Sequence, residues 1–300
     1  MRKNQWGVAA MFLLPYGVLF SVFVLLPVLY GFFISLHKWH ILSPHPDYIG
    51  LRNYKLVLGD DLFRIAFVRT MFFVAMVVPL GNALSLALAV GLNQNYRGTV
   101  FFKVAYYLPV VMSVSVIAIL WRWLYSTEFG LLNYYIGEAA SAMHRLAPGV
   151  FPGHLRPQWL NNPKTAMPAI AMMSIWWGAG GNMLIYLAGL KNVPRELLEA
   201  AAIDGASPWK RFWGVTWPQL RPTTLFCLVM SVIASFQVFG QTYILTGGGP
   251  YYSTLTIILY MYQQGFGLYQ LGYASAVGYL LFGALLVFTL IQFKLLAVKQ

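Results

Sequence analysis

Long apolar stretches separated by polar segments dominate this chain. Residues 7–36 contain no acidic residue, basic residue or histidine, and a helix of about 20 apolar residues already crosses a bilayer core of roughly 30 Å. The run from Pro222 to Phe293 is also uncharged, which is enough for two crossings and a neutral connection. We therefore predict an all-α membrane protein with about six transmembrane helices, at residues 7–36, 65–92, 100–125, 165–190, 222–245 and 273–293.

Composition and charge support this interpretation. The chain of 300 residues is 59% hydrophobic and 9% charged, whereas soluble domains carry roughly 25% charged residues. Its net charge of +12 is spread over the segments between apolar stretches and forms no basic patch. This distribution is typical of the positive-inside bias of membrane proteins, and we expect no nucleic-acid partner.

The basic residues also predict an orientation. If both termini are cytoplasmic, the inner segments contain eleven of the 20 Lys and Arg residues on much less than half of the loop length. The excess of Lys and Arg on that side favours cytoplasmic termini in a multi-pass membrane protein. These eleven residues are Arg2, Lys3, Arg97, Lys103, Lys191, Arg195, Lys210, Arg211, Arg221, Lys294 and Lys299.

The segment 191–221 is a long charged connection between two apolar halves of the chain. The pattern predicts two short helices: Pro194 lies in the first turn of one, Gly205 ends it, and Ser207-Pro208 begins the other. The second helix has an apolar face formed by Trp209, Phe212, Trp213 and Trp217. Such a hairpin cannot bury itself, so we predict that it docks on a partner.

The predicted spans contain no acidic residue, although ion-coupled carriers usually bind their coupling ion through polar or ionisable groups at depth. A GxxxxGK[ST] phosphate-binding loop is also absent from the sequence. The transporter must therefore be passive or driven by a partner, and the hairpin favours a partner. An ion-coupled or passive secondary carrier and a membrane-bound enzyme remain the alternatives.

The sequence contains little that would indicate a metal site. The single cysteine, Cys227, lies within a predicted span, and the five histidines show no HExxH spacing. We therefore predict no catalytic residue and no metal site.

The hairpin resembles the signature of permease subunits of binding-protein-dependent ABC importers. That signature is EAA, three residues, Gly, nine residues, Ile, one residue and Leu-Pro. The corresponding residues here are Glu199, Ala200, Ala201, Gly205, Val215, Trp217 and Pro218. Val215 is a conservative replacement for Ile, whereas Trp217 in place of Leu could alter how the second helix packs on its partner.

Further segments resemble the sugar and glycerol-phosphate branch of that family: FLLPYGVLFSVFVLLPVLYGFFISL, WRWLYSTEFGLLN, KNVPRELLEAAAIDGAS and TGGGP. The resemblance implies one permease domain over residues 1–300 with the type I ABC importer fold and a cytoplasmic EAA coupling helix. The location that it implies is a bacterial or archaeal cytoplasmic membrane. It also implies a second permease subunit, two cytoplasmic ATPase subunits and an external solute-binding protein. ATP hydrolysis is then expected in the ATPase, and this chain binds no cofactor of its own.

The resemblance also assigns roles in coupling to the ATPase. Glu199 is expected to pair with a basic group of the ATPase, Ala200 and Ala201 permit close approach, and Gly205 breaks the helix. Pro218 completes the signature. Asp204 either contributes to the same contact or caps the local turn around Ser207.

A sugar site in the membrane needs uncharged hydrogen-bonding groups and an aromatic face. Polar and aromatic residues at helical spacing in the fourth and fifth spans match this requirement, and corresponding positions line the path in the resembling sugar permeases. The alternative is that they only hold helices together. The candidate path residues are Ser174, Trp177, Gly178, Gly181, Ser235, Phe236, Gln237, Phe239 and Gln241.

The turn TGGGP, formed by Thr246, Gly247, Gly248, Gly249 and Pro250, is the candidate contact with the binding protein. A plain turn between two membrane segments is the alternative. Together these features predict a permease that moves a sugar, polyol or glycerol-phosphate-type solute inward, energised by ATP hydrolysis in a partner subunit.

Overall fold

The structure is a computed structural model that describes residues 3–40, 42, 45–94, 97–147, 150 and 155–296. Arg2 and Lys299, two of the basic residues used to predict orientation, lie outside these ranges. The chain divides into two compact units, Met1–Phe63 with Tyr260–Gly283, and Arg64–Leu259 with Ala284–Gln300.

The described residues are mainly helical. The first half contains α1 (Lys3–Phe20), α2 (Leu26–Ser35), β1 (His37–Lys38), β2 (Asp47–Tyr48), α3 (Arg52–Gly59), α4 (Asp61–Leu92), α5 (Thr99–Val111), α6 (Val114–Leu124) and α7 (Leu131–Leu146). The second half contains α8 (Ala166–Lys191), α9 (Arg195–Ile203), α10 (Pro208–Arg211), α11 (Trp217–Gln219), α12 (Arg221–Phe236), α13 (Gly240–Thr246), α14 (Ile257–Tyr262) and α15 (Leu271–Leu296). π-Helical turns lie at Ser21–Leu25, Phe212–Thr216 and Gln263–Gly267.

In the first unit, a π-helical turn joins α1 to α2 directly before Pro27. The backbone N–H of Leu26 bonds to the carbonyl of Ser21, five residues earlier. Because Pro27 lacks an N–H and crowds the preceding turn, a wider turn lets the helix continue. The helical path therefore continues through Pro15 and Pro27 to Ser35.

The polar segment after α2 is more ordered than the predicted loop. β1 and β2 pair antiparallel, with His37 opposite Tyr48. The amide nitrogen of Asn53 in α3 donates hydrogen bonds to the carbonyls of Ser35 (2.8 Å) and His37 (2.9 Å). This amide therefore fixes α3 against the end of α2.

Asp60 is the centre of a polar cluster in the same unit. Its Oδ2 accepts hydrogen bonds from the hydroxyls of Tyr260 (2.7 Å) and Tyr273 (2.8 Å), and its Oδ1 accepts from the backbone N–H of Leu62 (2.7 Å) and Phe63 (3.4 Å). Burial alone raises the pKa of Asp60, but these hydrogen bonds together lower it below the usual value. The cluster therefore holds the carboxylate charged at the start of α4.

Helix α8 is the most deeply buried long helix of the second unit. Met167, Ile170 and Met173 near its start belong to one apolar cluster, and Met183 and Leu187 near its end belong to another. The α8 backbone also passes close to α5, since a β-carbon on Gly180 would lie 2.1 Å from the carbonyl oxygen of Tyr106. Only glycine permits this approach.

The third and fifth predicted spans are not single straight helices. α5 and α6 meet at an angle of 101°, where Met112 is extended and Ser113 caps α6 by accepting from the N–H of Val116. The fifth span is interrupted after Phe236, and the chain resumes a helix only at Gly240. The bounds of these two spans were predicted from apolar composition alone. Composition does not show where the backbone changes direction.

Four helical stretches among the described residues are long and apolar enough to cross a membrane: Met11–Ser35, Asp61–Leu92, Ala166–Lys191 and Leu271–Lys294. Two bent pairs, Thr99–Val111 with Val114–Leu124 and Pro208–Gln219 with Arg221–Phe236, raise the number to as many as six. The predicted all-α membrane fold is thereby confirmed.

Two further helices lie outside the six predicted spans. α7 occupies part of the predicted loop 126–164. α14 lies between the fifth and sixth predicted spans, and Ile257 and Leu259 in it are fully buried by the protein. The backbone N–H of Ile257 also donates to the hydroxyl of Thr70 in α4 at 3.0 Å. α14 is therefore a packed helix.

Candidate functional site

The hairpin 191–221 begins with α9, which is short and mostly exposed. Pro194 immediately precedes the first helical residue instead of lying in the first turn as predicted, and Val193 is buried beside it. Glu196, Glu199 and Ile203 follow at i, i+3 and i+7, so they share one side of the helix. Ile203 is 87% exposed, and this side therefore combines two carboxylates with an uncovered apolar side chain.

Gly205 ends α9 in the left-handed conformation, with φ of +76°. Its N–H bonds to the carbonyl of Ala202 (3.1 Å), and the N–H of Ala206 bonds to the carbonyl of Ala201 (2.9 Å). These two bonds form a Schellman motif, which satisfies carbonyls at the helix end and commonly requires glycine. The predicted break at Gly205 is confirmed, and Ala201 takes part in it through its backbone.

Asp204 is the residue that immediately follows α9. Its N–H bonds to the carbonyl of Ala200 at 3.0 Å, and its side chain is exposed. Ser207 itself caps the next helix, since its hydroxyl accepts from the N–H of Lys210 at 3.4 Å. The side chain of Asp204 is therefore exposed to solvent at the end of α9.

The second half of the hairpin, Pro208–Gln219, contains α10, a π-helical turn and α11. The N–H of Trp217 bonds to the carbonyl of Phe212, five residues earlier. This wider turn again lies directly before a proline, Pro218. Pro218 therefore has a local role in ending this wider turn, whether or not it also contacts a partner.

A cavity of about 330 Å³ lies between α4, α8, α12 and α13 in the second unit. Hydroxyl, amide and aromatic groups line it together with apolar side chains, and the described residues around it include no acid, base or histidine. Its polar and aromatic lining residues are Phe73, Ser85, Ser174, Trp177, Asn182, Ser231, Ser235 and Gln241. Such a lining suits an uncharged ligand with many hydroxyl groups.

Five of the nine candidate path residues line this cavity: Ser174, Trp177, Gly178, Ser235 and Gln241. The other four lie elsewhere. Phe236 is fully buried and packs its ring 5.2 Å from that of Phe288. Gln237 is exposed at the end of α12. Phe239 stacks on Tyr243, and Gly181 faces Val110.

Two glycines near the middle of α8 differ in what surrounds them. Gly180 packs against the backbone of α5, as described above. A β-carbon on Gly178, in contrast, would meet no atom within 4 Å. The absence of a side chain at Gly178 therefore leaves open space beside the cavity.

A hydrogen-bond network beside the cavity escaped the sequence analysis. The hydroxyl of Ser231 accepts from the side-chain amides of Asn182 (2.9 Å) and Asn82 (3.1 Å). Asn82 in turn accepts from the hydroxyl of Tyr186 at 3.3 Å. The network joins α4, α8 and α12, and only the polarity of Asn82 within an apolar span could have suggested it.

The turn Thr246–Pro250 is tightly hydrogen-bonded. The hydroxyl of Thr254 donates to the carbonyl of Gly249 at 2.7 Å and lies 2.7 Å from the hydroxyl of Thr246. Gly247 and Gly248 have positive φ angles of 60° and 96°. Beyond the turn, Tyr251 is 89% exposed. Hydrogen bonds therefore hold the turn in one conformation, and Tyr251 directly after it is exposed.

Among the described residues, no group of three or more His, Cys, Asp or Glu side chains is arranged to hold a metal ion. The sole cysteine, Cys227, is buried.

The family described as "Binding-protein-dependent transport system inner membrane component" matches residues 81–297. The chain is also similar over nearly its whole length to the probable ABC transporter permease YesP of Bacillus subtilis (strain 168), at 34% identity over 98% of this chain and 91% of that protein. It is 33% identical to the trehalose/maltose transport system permease MalF of Thermococcus litoralis, over 98% of this chain and 95% of that protein.

Solved structures show the same fold. A chain of a bacterial alginate ABC transporter, crystallised with a periplasmic protein that binds an alginate pentasaccharide, superposes with a TM-score of 0.80. The match covers 97% of this chain and 93% of that chain at 24% identity.

The family match extends from within α4 to the end of the described chain, so it includes both halves of the hairpin, the last part of α4 and the other three helices around the cavity. The resemblance inferred from the EAA signature is confirmed. The chain belongs to the family of inner-membrane components of binding-protein-dependent transport systems, and it is a permease subunit of an ABC importer and not an enzyme.

Proposed function

We propose that this permease carries an uncharged saccharide, or a related polyol, through the cavity between α4, α8, α12 and α13. The observation that supports this proposal is the lining of the cavity: hydroxyls, side-chain amides and aromatic rings without a charged group. Sugars are recognised through hydrogen bonds and aromatic faces, whereas a phosphate needs a cation or an array of N–H groups. The lining therefore favours a neutral sugar over a glycerol phosphate.

The candidate path residues enter this proposal in two groups. Ser174, Trp177, Gly178, Ser235 and Gln241 contact the solute directly in the cavity. We assign Gly181, Phe236, Gln237 and Phe239 to the remainder of the path, where exposed Gln237 is available to a second permease subunit. The proteins named as trehalose/maltose and arabinooligosaccharide permeases among the relatives support a saccharide substrate.

The energy for transport enters through α9 in this proposal. The carboxylates of Glu196 and Glu199 and the apolar side chain of Ile203 share one exposed side of the helix, and a cleft of an ATPase with basic groups at its rim would match them. Glu199 pairs with a basic group, Ala200 and Ala201 allow close approach, Gly205 sets the break, Asp204 adds a third carboxylate, and Pro218 positions the second half.

The complete assembly contains this chain, a second permease, two ATPase subunits on the cytoplasmic side and an external solute-binding protein. Both termini face the cytoplasm, this chain binds no cofactor, and residues 1–300 act as one permease domain. The turn Thr246–Pro250 faces the binding protein and presents Tyr251 to it. The alginate importer, crystallised with its periplasmic protein, supports an assembly of this kind.

The substrate assignment is tested in proteoliposomes that contain the permease pair, ATPase and binding protein encoded beside it. Neutral saccharides should stimulate ATP hydrolysis and uptake, and Gln241→Leu should weaken uptake more than ATPase docking. Stimulation by glycerol phosphate alone would contradict the assignment. Uptake that persists without any ATPase subunit would instead favour a passive or ion-coupled carrier.

The docking assignment has its own test. Gly205→Asp should leave membrane insertion intact and abolish association with the ATPase, because a side chain at a φ of +76° strains the end of α9. Normal co-purification of the ATPase with this variant would refute docking through α9.

A further inference from the structure

Three tryptophans form a row along the second half of the hairpin, exposed at Trp209 and Trp213 and half-buried at Trp217. Trp209, Trp213 and Trp217 follow at i, i+4 and i+8, and their neighbouring ring centroids are 5.6 Å and 5.5 Å apart. Trp209 is 70% exposed and Trp213 is 46% exposed. The ring of Phe212 packs against Trp213 at 5.2 Å. We call these three tryptophans the indole row.

The charges of the hairpin differ between its two halves. All three acidic residues, Glu196, Glu199 and Asp204, belong to α9 and the residue after it, together with the basic residue Arg195. The part from Pro208 to Arg221 contains no acidic residue and carries Lys210, Arg211 and Arg221. The surface around the indole row is therefore purely basic, whereas α9 is mainly acidic.

The direction of the indole row suggests what covers it. Pro208–Gln219 is bent by 68° from Arg221–Phe236, the apolar helix that follows directly. If α12 crosses the membrane, the row runs much closer to the membrane plane than to its normal. A helix in that plane places tryptophan at the level of the lipid headgroups, the position that this residue favours.

Arg211 lies two residues before Trp213 in the chain. Its Nε atom is covered by the chain itself and has no hydrogen-bond partner within the described residues. A guanidinium that meets a phosphate makes a charge-assisted hydrogen bond, which is among the strong ones.

We propose that the indole row and the cations Lys210, Arg211 and Arg221 seat the second half of the hairpin on an anionic phospholipid surface. The indoles enter the headgroup region, and the cations bind lipid phosphates beside them. The hairpin then has two faces with separate partners: a basic, aromatic face for the membrane and the acidic face of α9. Trp217, which departs from the family signature, completes the row.

The test measures depth in the membrane with the permease pair in nanodiscs, first without and then with the ATPase. Cys227 is replaced by alanine, and a nitroxide is attached to Trp209→Cys or Trp213→Cys in separate variants, so that two indoles remain in each. Ile203→Cys on α9 is the matched control, since Ile203 is also a highly exposed apolar residue of the hairpin. In discs that contain phosphatidylglycerol and no ATPase, labels at 209 and 213 should lie about 5–10 Å below the phosphates. The label at 203 should remain accessible to an aqueous nickel chelate.

The contribution of the basic residues to membrane binding is measured separately. Lys210→Gln, Arg211→Gln and Arg221→Gln combined, or discs of phosphatidylcholine alone, should move the label at 213 towards water, because each cation near an anionic surface contributes to binding. A depth that is the same in both lipids and in the triple variant would overturn the role of anionic lipid.

A measurement on the unaltered protein tests the proposal without relying on any variant to fold. Phosphatidylglycerol with a photoreactive headgroup should label the peptide 207–221 and spare 195–204. Labels at 209 and 213 that are as accessible to nickel as the label at 203 would overturn the proposal. Protection of 209 and 213 only after the ATPase is added would overturn it too, because a protein would then cover the row.

Discussion

The backbone nitrogen of Ala206 lies 2.9 Å from the carbonyl oxygen of Ala201, and this bond closes the end of α9. Ala201 belongs to the EAA signature, and Ala206 follows the signature glycine. The spacing from Ala201 to Gly205 in the signature therefore corresponds here to one hydrogen-bonded turn. This turn determines where the acidic side of α9 ends and where the indole row begins.

Gly205 and Gly214 provide a matched pair for testing the turn. A β-carbon at either position meets no atom within 4 Å, but only Gly205 has a positive φ. Gly205→Ala should therefore destabilise the turn by about 1 kcal/mol and lower ATPase affinity severalfold, whereas Gly214→Ala should do neither. Titration of the reconstituted permease with ATPase measures both. Equal affinities of the two variants would show that the positive φ of Gly205 is not needed for docking.

Gly180 and Gly178 form a second pair, two residues apart on α8. Gly180→Ala should prevent the close packing of α5 on α8, because its β-carbon would lie 2.1 Å from a backbone oxygen. Overpacking of this kind commonly costs about 1–3 kcal/mol. Thermal unfolding of the purified subunit should show a clear loss for Gly180→Ala and little change for Gly178→Ala. A loss of the same size at both positions would contradict the geometry.

A larger side chain at Gly178 tests the cavity itself. Gly178→Leu should fill space beside the cavity and reduce sugar uptake, while assembly with the ATPase remains normal. The measurement is uptake in proteoliposomes alongside co-purification. Unchanged uptake by a correctly assembled Gly178→Leu complex would place the solute path elsewhere.

Ser231 accepts two amide hydrogen bonds, so its removal should cost more than that of a serine with only local bonds. Ser231→Ala leaves donors of Asn82 and Asn182 without this acceptor, and we expect a loss of about 1–3 kcal/mol in the free energy of unfolding. Ser174→Ala is the control, because the hydroxyl of Ser174 bonds to the carbonyl of Ile170 in its own helix. Similar melting temperatures for both variants would argue against a stabilising network.

Asp60 predicts a specific dependence of stability on pH. Its pKa is lowered in the folded protein, so its stabilising effect is present above the unfolded pKa and disappears as the pH falls through the folded value. Asp60→Asn should therefore destabilise the first unit at neutral pH, and the difference from the unaltered protein should shrink below about pH 4. Thermal unfolding in detergent between pH 3 and pH 7, with Tyr260→Phe for comparison, measures this change. A difference that grows as the solution is acidified would contradict it.

The sequence determined the class of the protein because its signals are local. Uncharged runs longer than a bilayer is thick predict membrane helices whatever their packing, and the spacing from Glu199 to Pro218 identifies the hairpin. The end of α9 at Gly205 and the cap at Ser207 were likewise predicted, since each depends on residues within one turn. These parts of the chain needed no knowledge of distant contacts.

Only the tertiary structure decided which polar residues share a cavity. Ser174, Gly178 and Gly181 have helical spacing, yet Gly181 faces α5 because the rotation of α8 is set by the close contact at Gly180. Asn82, Asn182 and Ser231 lie on three helices and meet through packing between residues up to 149 positions apart. The bends between α5 and α6 and after α12 also depend on such packing, because an apolar stretch predicts burial in lipid but not the direction of its axis.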